Sequence, residues 1–219
     1  MEKIILIGSG GCMREIVWQI QELNKQIPTW EIEGYIDVAA PENGKGIMVG
    51  KEEIPYLGTD ELLLHCNKAC NIAICVGNLY LRKKIAQKLL RNTNLSFPNI
   101  ILNNVVICKD VKLGMGCILC SGTKISTHVE IGNFAFINME SMICHDGVIG
   151  DFVTISPDVK IAGNVCIHNH CEIGMGTKIK QGITIGENSI IGAGAVVVKN
   201  IESRTVAVGV PAQPIKRGI

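Results

Sequence analysis

The 219 residues leave room for one large domain or two small ones. Hydrophobic residues make up 47% but aromatics only 4%, which favours many short stacked strands over a bulky aromatic core. A net charge of +1 without a basic run excludes the electrostatic footprint of a nucleic-acid-binding protein, and no apolar run approaches the roughly 18 residues of a membrane span.

The start, MEKIILIGSGG, has too short an apolar run for a signal peptide and leads straight into glycines, so a cytoplasmic location is expected. Residues 3–7 read as an apolar strand. After Gly8-Ser9-Gly10-Gly11, a helix is predicted over residues 12–25, with Ile16, Val17, Ile20 and Leu23 on one face. Such a loop lets the backbone approach a phosphate that the helix N-terminus attracts. It departs from the dinucleotide fingerprint, because Met13 or Arg14 stands where a third glycine belongs. A tight strand-to-helix turn is the alternative reading. A second strand over 33–37 ends on Asp37, where an acid can bind a ribose or base. Thr59 and Asp60 are candidate caps for a helix over 61–66. A strand over 71–76 and a helix over 79–90 follow. Gly77, Asn78 and Arg82 repeat the strand-end arrangement and could complete a pocket, with Arg82 alternatively a solvated helix residue. The alternation predicts a Rossmann-like α/β domain over residues 1–98 built on a small parallel sheet.

From Ile101 the period changes to six. Every sixth residue from 101 to 197 is Ile, Leu or Val, giving 17 hexads in one register. The residue four after each anchor is small or β-branched. The residue three after it, from Asp110 to Asn200, is Gly, Asn, Asp or His in 13 of 16 cases, Phe134, Glu140 and Phe152 being the exceptions. Those types tolerate left-handed backbone best, so each hexad reads as a strand plus a left-handed corner. Residues 99–219 are therefore expected to form a coil with one large and one small inward side chain per hexad.

The ten cysteines read as free thiols in a chain with no sign of secretion, and Cys117 and Cys120 lack the second CxxC of a zinc site. Cys144 sits in the slot after an anchor, as Cys108 and Cys120 do, and reads as packing rather than a nucleophile. Among the histidines, His65 reads as surface, His128 and His170 as corner residues, and His168 as outward-facing. His145 lies one residue before a corner and is followed by Asp146. A histidine there can act as a general base near neutral pH. Gly163, 18 residues on, offers an unobstructed amide for an oxyanion.

The pieces IILIGSGGCMREI, GYIDV, CVGNLYLRKKIA, ICHDGVIGD and GAGAVVVKN...GVPA, in that order, resemble the sialic-acid O-acetyltransferase and nucleotide-amino-sugar N-acetyltransferase group of the hexapeptide-repeat acyltransferases. The resemblance implies a left-handed parallel β-helix with three hexads per coil, a homotrimer, and acetyl-CoA as co-substrate without a metal. It implies a nucleotide-linked sugar at Gly8, Gly10, Gly11 and Cys12, where the family usually has histidine in place of the cysteine. It further implies a catalytic His145–Asp146 pair with Asn138 nearby, and coenzyme A along Gly163, Gly174, Met175, Gly192, Ala193 and Gly194. The expected activity is acetylation of a sugar amine, with sugar O-acetylation or a non-catalytic nucleotide-sugar-binding protein as alternatives. The carbonic anhydrases that share this β-helix need three metal-binding histidines, and no two histidines of the repeat here differ by 18 or 36.

Overall fold

The computed structural model describes residues 1–42 and 44–218, Arg217 through its backbone alone. The chain divides into two compact units, Met1–Pro98 and Asn99–Ile219.

In the first unit β1 (Glu2–Ile7) enters the glycine loop, and α1 (Gly11–Gln26) follows it. Next come β2 (Trp30–Ile36), β3 (Gly46–Val49), β4 (Glu52–Gly58), the single-turn α2 (Glu61–Leu64), β5 (Cys70–Ile74), α3 (Leu79–Leu89) and β6 (Leu95–Ser96). The sheet order is β3-β4-β2-β1-β5-β6. β4, β2, β1, β5 and β6 are parallel, whereas β3 runs antiparallel to β4. The sheet is thus mixed, which corrects the purely parallel expectation. Glu52, Glu53 and Pro55 hide β4 from an apolar-pattern reading, but the two-residue connection Gly50–Lys51, with Gly50 at φ +61°, is a hairpin signature. Ile16, Val17, Ile20 and Leu23 of α1 are buried, the face expected from their spacing, and Met13 joins them. The helix expected over 61–66 stops at Leu64, and Asp60 makes no side-chain cap; its carboxylate pairs with Lys88 at 2.9 Å instead.

The second unit is a parallel β-helix. A two-residue strand recurs every six residues from Ile100–Ile101 to Val196–Val197, and up to Lys178–Ile179 each pairs with the strand 18 residues on, as Ile118 with Phe136, Lys124 with Met142 and Glu130 with Val148. Three sheets result, and 17 strands make between five and six coils. The second residue of each strand is the anchor. Leu119, Ile137, Ile155, Ile173 and Ile191 are fully buried, and Ile101 at the end of the stack is 38% exposed. Each buried anchor contributes about 2 kcal/mol of transfer free energy, so the repeat, not any single contact, holds the coil. Every corner position from Asn104 to Gly194 except Asp110 has positive φ. Phe134, Glu140 and Phe152 adopt it at 53°, 58° and 56°, so ladder geometry overrides their own preference. Asp110 and Asn200 do not adopt it, although their residue types suggested they would.

On one row of corners, side chains satisfy the amides of the preceding coil. Met115 N–H donates to Asn133 Oδ1, Asn133 N–H to Asp151 Oδ1, and Asp151 N–H to Asn169 Oδ1, at 3.1, 2.6 and 2.8 Å. The chain closes with Thr205–Val208, parallel to the last strand of one sheet, and Gln213–Arg217 antiparallel to it.

Candidate active site

The first unit opens a cleft of about 570 Å³ at the C-terminal ends of β1, β2 and β5. Gly8, Gly10, Gly11, Cys12, Asp37 and Gly77 all line it, so the glycine loop and the two strand ends meet as their order in the chain suggested. Gly8 sits at φ +109°, and a Cβ there would lie 3.1 Å from the Cys75 carbonyl oxygen. Gly10 instead has a φ of −77° and open space where a Cβ would stand. The N-terminus of α1 has no side-chain cap and no acid in its first turn, so it presents uncompensated positive potential to the cleft. Burial pushes the Cys12 thiol up to about 11, with the Arg82 charge pulling the other way. Asp37 Oδ1 accepts from the Val38 N–H at 2.6 Å.

Asn78 and Arg82 do not line the cleft. Asn78 caps α3, accepting from the Leu81 N–H at 2.9 Å. Arg82 is buried, not solvated, and donates to the Val76 and Gly77 carbonyls at 2.8 and 3.1 Å, holding the loop that does line the cleft. The wall of α3 was not foreseen: Leu81, Lys84, Ile85 and Lys88 face the cleft at helical spacing. Lys88 is engaged with Asp60 and Glu61, both at 2.9 Å.

In the second unit, Asp146 occupies a corner at φ 56° and its Oδ2 lies 2.7 Å from His145 Nδ1. The turn lets neighbouring side chains meet that would diverge in a straight strand. A carboxylate there fixes the tautomer with Nδ1 protonated, leaving Nε2 as a proton acceptor at a half-exposed ring. Gly163 lies directly against that ring: a Cβ would collide with Cε1 and Nε2 and stand 2.9 Å from Nδ1. Its N–H has no acceptor among the described residues, unlike the laddered amides of Met115, Asn133 and Asp151. Asn138 turns its Oδ1 to the Met139 N–H at 2.8 Å.

Of the positions expected to hold coenzyme A, Gly174 and Gly192 are tight. A Cβ on Gly174 would meet Ala193 N at 2.5 Å, and one on Gly192 would meet Val208 Cγ1 at 2.6 Å. Gly194 is a corner at φ +69°, its N–H bonded to the Met175 carbonyl at 2.7 Å. Met175 is 56% exposed, and the N–H groups of Met175 and Ala193 lack acceptors among the described residues. No group of three or more His, Cys, Asp or Glu side chains suited to a metal occurs among the described residues.

A parallel coil of six-residue repeats is the architecture expected of hexapeptide-repeat transferases. Comparison by sequence agrees: the model of the PglD N-terminal domain matches residues 3–89, and that of the bacterial transferase hexapeptide (six repeats) matches residues 146–181 and 164–199. The first unit is thus similar to the PglD N-terminal domain, and part of the second to transferase hexapeptide repeats. No curated protein matches it in sequence. Among solved structures it is similar to PerB from Caulobacter crescentus, in complex with CoA and GDP-perosamine, at 25% identity and a TM-score of 0.86 over 99% of this chain and 98% of that one. It is also similar to the acetyltransferase domain of PglB from Neisseria gonorrhoeae, in complex with acetyl coenzyme A, at 26% and 0.86 over 97% and 98%. WeeI from Acinetobacter baumannii follows at 28% and 0.80 over 98% and 100%.

Proposed function

We propose that this protein transfers the acetyl group of acetyl-CoA to an amine on a nucleotide-linked sugar. The observation that carries the reading is the His145–Asp146 pair, its ring seated on Gly163. The attacking amine forms a bond to the thioester carbonyl carbon and gives a proton to His145 Nε2. The carbonyl oxygen takes the electron pair, and the Gly163 N–H is the donor for it. Collapse breaks the C–S bond, and the proton passes to the departing coenzyme A thiolate. Asp146 holds the ring and offsets the charge that forms on it.

The glycine-loop cleft is assigned to the acceptor's nucleotide. Diphosphate oxygens suit the uncapped amides of α1 and Lys84, and Asp37 suits a ribose hydroxyl or base N–H. The crystal complex of PerB with GDP-perosamine supports an amino sugar as acceptor. Coenzyme A is assigned to the later coils, where the free amides of Met175 and Ala193 match the carbonyl-rich pantetheine chain. The chain is assigned to the cytoplasm, where acetyl-CoA and nucleotide sugars are made; no described helix is long and apolar enough to cross a membrane. Incubating the protein with acetyl-CoA and nucleotide-linked amino sugars, followed by mass spectrometry, tests the reading. An acetylated sugar on the amine supports it; coenzyme A release without an acetylated amine contradicts it.

A further inference from the structure

The acid that orients His145 is itself held from its other side. Positions 110, 128 and 146 stack at 18-residue intervals on one row of corners, and they carry Asp, His and Asp. Asp146 presents Oδ2 to His145 Nδ1 at 2.7 Å and Oδ1 to His128 Nδ1 at 3.7 Å. His128 Nε2 in turn lies 3.5 Å from Asp110 Oδ2. Asp110 is fixed as a carboxylate: hydrogen bonds from the Thr127 hydroxyl, foremost, and from the Cys108 thiol and the His128 N–H hold it down to about 2. Among the described residues, Asp110 and Asp146 are the charged groups recorded against the His128 ring, with His145 beyond Asp146.

This arrangement explains more than a left-handed corner needs. Asparagine fills the same corner position at 104 and 164 with the same backbone conformation. Histidine at 128 adds a group that can carry charge between two carboxylates. We propose that His128 is a positioning residue: when protonated it stands at ion-pair distance from one oxygen of the Asp146 carboxylate while His145 meets the other, and so biases the direction and the charge that the base meets. The two rings then face one carboxylate from opposite sides. The role in turnover rests on the function proposed above; the coupling itself does not.

The substitutions can leave the coil intact, because asparagine tolerates the left-handed corner at 128 and 146. Protein labelled with [15N]histidine has five residues to follow by NMR. His128→Asn should shift the ring nitrogen signals of His145, His145→Asn should shift those of His128, by reciprocity, and Asp146→Asn should shift both. With acetyl-CoA and GDP-perosamine as probes, His128→Asn should lower kcat about 3- to 10-fold, leave the KM for acetyl-CoA unchanged, and have no further effect in Asp146→Asn protein. Unmoved ring signals, or an equal loss of kcat in both backgrounds, overturns the proposal. Full turnover by His145→Ala instead overturns the assigned function while leaving the coupling to the NMR result.

Discussion

At the scale of the residue, His145 and Gly163 form one unit. General-base catalysis contributes about 10²- to 10⁴-fold, so His145→Ala should lower kcat by that factor and leave the thermal midpoint near that of the parent, since the ring is half-exposed and outside the core. Gly163→Ala asks a sharper question. Its Cβ would meet the end of a movable ring, not backbone, so the fold should survive while the ring swings away. We expect a loss of at least about 10-fold in kcat, measured with His145 retained. Asp110 supplies a pH test. Its folded-state value is depressed from 3.8 to about 2 by the Thr127 hydrogen bond, so its contribution to stability is present above its ordinary value and lost as pH falls through about 2. Denaturant melts of wild type and Asp110→Asn should differ most near neutrality and converge toward about pH 2. The meeting of His145 with Asp146 could be read from sequence because His-Asp beside a corner is a local pattern. The same 18-residue spacing that pointed to Gly163 also places His128 on the Asp146 row, but its fitness for a left-handed corner gave it a sufficient local explanation. A local pattern cannot show that two residues a coil apart share a carboxylate.

At the scale of the element, two glycines of one loop separate folding from binding. Gly8 has positive φ and a carbonyl oxygen 3.1 Å from its missing Cβ, so Gly8→Ala should cost about 1 kcal/mol or more in chemical denaturation. Gly10 has neither constraint, so Gly10→Val should fold normally and raise the KM for the nucleotide sugar while that for acetyl-CoA stays put. Equal damage to both constants would contradict the assignment of this cleft to the acceptor. The elements themselves were unevenly legible. α1 and the hexads announce themselves through unbroken periods of 3.6 and six. The β3–β4 hairpin does not, because β4, with Glu52, Glu53 and Pro55, lacks an apolar alternation. Arg82 read as a pocket residue or a solvated one because a helix's buried side is read from apolar residues, whereas this arginine is buried and bonds the carbonyls of Val76 and Gly77.

At the scale of the whole molecule, a β-helix with flat faces can bury surface by three-fold packing. Val106, Met142 and Val148 are exposed on those faces. We expect a homotrimer, which light scattering at micromolar concentration should report; a monomer there contradicts it. The period of six fixes the coil because each hexad repeats the same inward pair, so the architecture could be read along almost the whole second unit. The acceptor could not, because sugar identity depends on a few contacts around the cleft, and Cys12 stands among them where the resemblance implies a histidine. The central claim is acetyl transfer to a sugar amine by a base at His145. Its most direct test is the rate of acetylated product formed from acetyl-CoA and GDP-perosamine, or another nucleotide-linked amino sugar that proves to be a substrate, by wild type and His145→Ala across pH. The account predicts that the variant falls by about 10²- to 10⁴-fold at neutral pH and recovers activity as rising pH deprotonates the amine. Near-normal turnover by His145→Ala at neutral pH would contradict it.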